Sequence, residues 1–148
     1  MKEEEIQVFI DGVKRYFKKE SDIEAKVGTP YLVDSKQAPA LSYTGIIGIS
    51  GERRGGVYFT SPSILLRHLL ISMGEAKSSD NYLCDLTGEV ANTISGNAKK
   101  TFGKKFMISV PIVVKGVQEQ VQLPKDIEVY VIPISWKSYD AMLVVGLE

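Results

Sequence analysis

Two runs rich in β-branched and aromatic residues, Leu41 to Ser50 and Gly56 to Thr60, are separated only by Gly51-Glu52-Arg53-Arg54-Gly55. Residues of that kind suit a pleated, half-buried surface, and glycines at both ends of a short linker supply the positive φ that a reversal of direction needs. The pattern predicts an antiparallel hairpin. A lone hairpin is marginal in water, so further strands and a helical layer must cover it. From Glu3 to Lys19, residues Ile6, Phe9, Ile10, Val13, Tyr16 and Phe17 recur at helical spacing. A second helix is predicted from Thr60-Ser61 or Ser61-Pro62, with Ile64, Leu65, Leu69 and Met73 on one stripe and Gly74 closing it. Ser78-Ser79-Asp80 offers N-cap oxygens to a third helix, which runs to about Phe102 and is stopped by Gly103.

Three more stretches after the second and third helices, and one before the hairpin, complete the sheet. Ile23 to Gly28 reads as a short strand ended by Thr29-Pro30, and Phe106 to Val114, Ile127 to Ser135 and Tyr139 to Gly146 read as the others. Pro111 has no amide hydrogen, so the Phe106 strand is expected at a sheet edge or bulged at the proline. The order helix, three strands, two helices, three strands specifies an α+β fold: an antiparallel sheet of about six strands with three helices packed on it. With 148 residues and no internal repeat, one domain over 1–148 is expected.

Charge and composition narrow the function classes. Lys plus Arg and Asp plus Glu both number 18, and a chain of zero net charge lacks the basic field of a general nucleic-acid binder. Roughly 20 apolar residues in succession are needed to span a bilayer, and the chain has no such run, so no membrane insertion is expected. The acidic start MKEEEIQVF leads into no apolar signal core, which points to a cytoplasmic protein. Cys84 is the one cysteine and His68 the one histidine, so neither an intrachain disulfide nor a Cys/His metal site is expected. Cys84 is expected as a small buried core residue, and His68 at a surface or half-buried helix position. Gly45, Gly48, Gly51 and Gly55-Gly56 do not form a nucleotide loop, because no Gly-Lys-Ser/Thr follows and a strand comes next. Lys99-Lys100 and Lys104-Lys105 suit the negative end of a helix dipole, and Trp136 is expected to pack near a sheet end.

The third helix carries the chemistry. In LCDLTGEVANTISGNAKK, residues Leu83, Leu86, Val90, Ile94 and Ala98 fall on one stripe at about 100° per residue. Asp85, Glu89, Asn92, Gly96 and Lys99 fall on the opposite side, where Glu89 and Asn92 stand one turn apart. Any surface helix has a polar face, so this pattern alone does not establish a site. Gly88 and Gly96 flank the pair, and glycine inside an exposed helix costs roughly 0.5–1 kcal/mol relative to alanine. Their presence suggests that a partner helix or loop approaches the backbone there.

The stretch GEVANTISGNAKK resembles the signature of the CheX/CheC-like chemotaxis phosphatases, which carry Glu-x-x-Asn on an exposed helix. Glu89 and Asn92 occupy those positions, Asp85 matches the residue that opens the longer motif, Gly96-Asn97-Ala98 resembles its continuation, and Pro111 in FMISVPIVVKG is the counterpart of a downstream strand proline. GIIGISGERRGGVYFTSPSILLRHLL resembles the family's hairpin and following helix, so the likeness runs from about Leu41 to Gly146. It implies a phosphatase that removes the phosphoryl group from the aspartate of a phosphorylated CheY-like response regulator. Asn92 would orient the attacking water, Glu89 would pair with the regulator's active-site lysine, and Asp85 would extend the acidic contact or remain solvated. Gly88 and Gly96 would belong to the binding surface. No cofactor of its own is implied, since Mg²⁺ is expected on the regulator, and a homodimer is expected by family likeness. The competing expectation is a non-catalytic response-regulator-binding or scaffold module related to flagellar switch proteins.

Overall fold

The structure, a computed structural model, describes residues 1–116 and 123–148. Strands β3 (Tyr43–Gly51) and β4 (Gly55–Ser61) form the expected hairpin, in register from Tyr43 opposite Ser61 to Ile49 opposite Gly55. Gly51 and Gly55, at φ 99° and 155°, take the positive values that the turn demands. β8 (Tyr139–Leu147) pairs with the far side of β4, and β7 (Val129–Trp136) with β8, all antiparallel.

The sheet contains eight strands among the described residues, not about six, and proline chemistry explains both additions. The stretch from Ile23 pairs only over β1 (Lys26–Val27); beyond Thr29-Pro30 the chain re-engages β7 as β2 (Tyr31–Val33). The Phe106 stretch breaks before Pro111 into β5 (Phe106–Ile108) and β6 (Ile112–Lys115), both on the outer side of β3. At the break, Ser109 donates its amide to the Gly48 carbonyl at 2.9 Å, and its hydroxyl accepts the Gly48 N–H at 2.8 Å. The ladder's amide is thus satisfied where the proline interrupts pairing.

Helices α1 (Glu3–Ser21), α2 (Ser63–Ser72) and α3 (Asp80–Phe102) pack against one face of this sheet; α2 does so through Leu65, Leu66, Leu69 and Leu70, while Ile64, expected on its buried stripe, is turned out and 42% exposed. Ile47, Val57, Phe59, Ile132, Ile134, Leu143 and Val145 supply the sheet side of that core. Trp136 is fully buried at a strand end, beside the Phe17 ring, with its indole N–H donating to the Ile23 carbonyl at 3.2 Å. A smaller cluster of Tyr58, Leu123, Val129, Val131 and Val144 lines the other face. α2 begins at Ser63, slightly later than its sequence signals, because β4 continues to Ser61; Gly74 at φ 83° closes it as expected.

Two features fix α3 on the sheet. A Cβ added at Gly45 would stand 2.6 Å from the Thr87 carbonyl oxygen, so the helix backbone lies directly on β3 there. The N-terminus is held by Asp80, whose carboxylate accepts the Tyr43 hydroxyl at 2.6 Å and pairs with Lys115. Asp80 is therefore an anchor to β3 and β6 and not a cap. Ser79 holds the N-cap position and makes no side-chain cap bond.

Candidate functional site

α3 is continuous through the motif, and its residues separate by direction. Leu83, Leu86, Val90, Ile94 and Ala98 are buried, whereas Asp85, Glu89, Asn92 and Lys99 are exposed. Glu89 and Asn92 thus project to solvent one turn apart on an unbroken helix.

An open groove of about 430 Å³ runs beside them. Cys84, Asp85, Gly88, Glu89 and Asn92 form its helical wall, and Pro111 and Val113 form the wall from the β5–β6 segment. A second groove of about 260 Å³ lies on the other flank of α3, between Asp85, Leu86 and Glu89 and the end of α2 at Leu70, Met73 and Glu75. Glu89 and Asp85 stand on the ridge between the two grooves, while Asn92 faces the first.

The two motif glycines differ. Gly88 is buried, and a Cβ there would meet Val113 Cγ2 at 3.0 Å and Pro111 Cβ at 3.5 Å. The close approach expected at Gly88 is made by the chain's own β6 segment, because α3 is sunk onto β3 at Gly45 and brings the next residue against the neighbouring strand. Gly88 nevertheless forms part of the groove wall. Gly96 is half-buried, and no atom of the described residues beyond its own helix backbone comes within 4 Å of an added Cβ, so the space over it is open among them.

Electrostatics distinguish the polar groups. Lost hydration first, and the neighbouring Glu20 carboxylate second, raise the Glu89 carboxyl above the usual glutamate range. Asn92 carries no charge at any ordinary pH. Cys84 is half-buried in the groove wall, not enclosed in the core, because the β5–β6 break leaves its side of α3 partly uncovered. Desolvation raises its thiol, with Asp80 adding to the effect, which keeps it protonated at neutral pH. His68 is half-buried on α2, with Nε2 3.1 Å from the Tyr139 hydroxyl and away from the groove. No group of three or more His, Cys, Asp or Glu suited to a metal ion occurs among the described residues. No helix among them is long and apolar enough to cross a membrane. The arrangement places a neutral amide next to a carboxylate at the mouth of a groove walled by Pro111 and Val113. An amide there can accept from water and donate to an oxygen in the same geometry.

Sequence reasoning missed four contributors. Val113 and Cys84 join the groove only through the β6 pairing. Glu20 reaches Glu89 from α1, and nothing in local periodicity links residues so far apart in the chain. Tyr16, read only as one member of an apolar stripe, carries a hydroxyl with no hydrogen-bond partner among the described residues.

The chain is similar over 100% of its length, and over 99% of the other chain, to a CheC-like superfamily protein from Shewanella sp. PV-4, with TM-score 0.87 and 28% identity. Chemotaxis protein CheX from Vibrio vulnificus shares the fold at TM-score 0.85 and 23% identity, over 98% of this chain and 99% of that one. A chain of a CheX–CheY–BeF₃–Mg²⁺ complex from Borrelia burgdorferi shares it at TM-score 0.76 and 19% identity, over 97% of this chain and 97% of that one. No curated protein matches the sequence. The family model described as chemotaxis phosphatase CheX matches residues 43–135, more than half of the chain, and the protein belongs to that family. The matched span contains the hairpin, α2, all of α3 and the β5–β6 wall.

Proposed function

We propose that this protein hydrolyses the phosphoaspartate of a CheY-like response regulator, with Asn92 orienting the attacking water and Glu89 docking the regulator. The observation that carries the proposal is the exposure of Glu89 and Asn92 one turn apart on α3, beside an open groove. Family membership and the likeness to a CheX solved in complex with CheY support the choice of partner.

A phosphoaspartate is an acyl phosphate and is already reactive. The regulator supplies that group, and Mg²⁺ bound to the regulator neutralises phosphoryl oxygens. What remains for the phosphatase is alignment and charge placement. The Asn92 carbonyl accepts a proton of the water and holds its oxygen in line with phosphorus, while the amide NH₂ donates to an oxygen without bringing a negative charge near the phosphoryl group. Water attacks phosphorus, the P–O bond to the aspartyl carboxylate breaks, and inorganic phosphate and free aspartate leave. No covalent bond to the phosphatase forms.

Glu89 serves docking better than proton abstraction. An ionised carboxylate paired with a lysine in a closed interface contributes roughly 1.5–3 kcal/mol. Asp85 on the same ridge extends the acidic contact, and the open space over Gly96 admits the regulator's backbone. At the sheet edge, Met107, Val110 and Ile112 are 55%, 80% and 63% exposed, which suits edge-to-edge association of two copies. Light scattering checks that dimer, with the monomer mass contradicting it.

A phosphate-release assay against a panel of radiolabelled, phosphorylated regulators tests the activity. The expected result is accelerated release from at least one CheY-like regulator. Binding without any acceleration across the panel would instead identify a scaffold.

A further inference from the structure

Tyr16 is 2% exposed, and its hydroxyl has no hydrogen-bond partner among the described residues. A buried, unpaired hydroxyl is costly, so its presence calls for a physical reason. The packing of α1 on α3 supplies one. The two helices run antiparallel: Phe9 and Phe102 have ring centroids 6.0 Å apart, and a Cβ on Gly12 would lie 3.5 Å from Ile94 Cγ2. One turn beyond Gly12 brings Tyr16 level with Val90, the residue after Glu89, and a further turn brings Glu20 past it. The electrostatic environment agrees with that placement, since the Glu89 charge acts on Tyr16 and the Glu20 charge acts on Glu89.

We propose that Tyr16 is a positioning residue for Glu89: its buried O–H donates to one carboxylate oxygen when the exposed glutamate turns inward, leaving the other oxygen directed at a cation of the docked regulator. An ionised carboxylate has acceptor capacity for both partners at once. The hydroxyl is itself buried, so the exposed glutamate side chain is the group that makes the approach. The bond counters the two influences that disfavour ionised Glu89, which are partial desolvation and the Glu20 carboxylate. Glu75 beyond α2 and Asp85 on α3 also face this ridge, and Tyr82 lines its far groove.

The proposal rests on the docking role given to Glu89, so the test separates the two. In the full chain carrying ¹³C-glutamate, the Glu89 carboxyl is titrated by NMR in the wild type, Tyr16→Phe and Tyr16→Met. Donation to the ionised form lowers a carboxyl pKa, so loss of the donor is expected to raise the Glu89 midpoint in both variants; Glu20→Gln, which removes a like charge, is expected to lower it. Thermal stability of Tyr16→Phe should equal or exceed that of the wild type. Its affinity for a regulator carrying a phosphoryl mimic should fall roughly threefold to tenfold, with turnover at saturating phosphorylated regulator unchanged. An unmoved Glu89 midpoint in either Tyr16 variant overturns the proposal. A raised midpoint with unchanged regulator affinity leaves Tyr16 holding Glu89 and overturns the docking role instead.

Discussion

Gly88 and Gly96 lie two turns apart on the same helix, yet a methyl group added at one would meet Val113 at 3.0 Å and at the other would meet nothing within 4 Å. The first belongs to a seam. Gly45 lets the helix backbone touch β3, and Gly88 then comes against Pro111 and Val113. The second belongs to a surface left open within the protein itself. Identical residues in one motif therefore answer to different neighbours: one seats α3 so that Glu89 and Asn92 face outward at a defined height, and the other leaves room above them. The seam fixes where Glu89 and Asn92 stand, and the open space lies over Gly96 among the described residues.

Substitutions at these positions can break that contrast. The largest stability effect is expected at Gly45→Ala, because a Cβ 2.6 Å from a backbone oxygen has no flexible neighbour to displace. A loss of about 1–3 kcal/mol, or more if the helix shifts, should appear in a denaturant melt. A wild-type melt would show that α3 is not seated there. Glu89→Ala comes next, with an expected loss in regulator affinity of roughly tenfold, the equivalent of about 1.4 kcal/mol. Because the folded protein holds the Glu89 carboxyl above its ordinary value, wild-type affinity should begin to fall at a higher pH than for a free glutamate as the solution is acidified. In the Glu89→Ala variant that part of the pH dependence should vanish in a titration calorimetry series, and its persistence would assign the titration to another group.

The glycines of the helix give the smallest and most discriminating differences. Gly96→Ala should stabilise the fold by about 0.5–1 kcal/mol, since alanine favours the helix and the space is empty. The same propensity gain at Gly88→Ala is offset by crowding of Val113, so its net change should remain under about 1 kcal/mol. A destabilised Gly96→Ala and a clearly stabilised Gly88→Ala would together invert the comparison.

Much of this was legible in the sequence because its signals are local. The hairpin announced itself through Gly51 and Gly55, and the stripe of α3 through Leu83, Leu86, Val90, Ile94 and Ala98. The outward placement of Glu89 and Asn92 follows from the same periodicity. The illegible features depend on tertiary pairing. Asp80 has the composition of a cap but serves Tyr43 and Lys115, partners visible only once β3 and β6 lie beneath the helix. Gly88 has the spacing of a docking surface but is occupied by the chain's own strand. The Phe106 stretch was foreseeably troubled by Pro111, yet whether it would bulge or split depended on Ser109 satisfying Gly48. Tyr16 looked like any other apolar stripe residue, and the lack of a hydroxyl partner among the described residues becomes apparent only when α1 is laid against α3.

In the proposed mechanism the Asn92 side-chain amide supplies the alignment of water while Glu89 supplies attachment. Phosphate release from a phosphorylated CheY-like regulator, measured with wild-type protein and with Asn92→Ala beside a binding titration of each, tests it most directly. The variant is expected still to bind the regulator, but with stimulated release lowered by roughly 100-fold or more, to the regulator's own rate. Stimulated release at the wild-type rate from Asn92→Ala would contradict it.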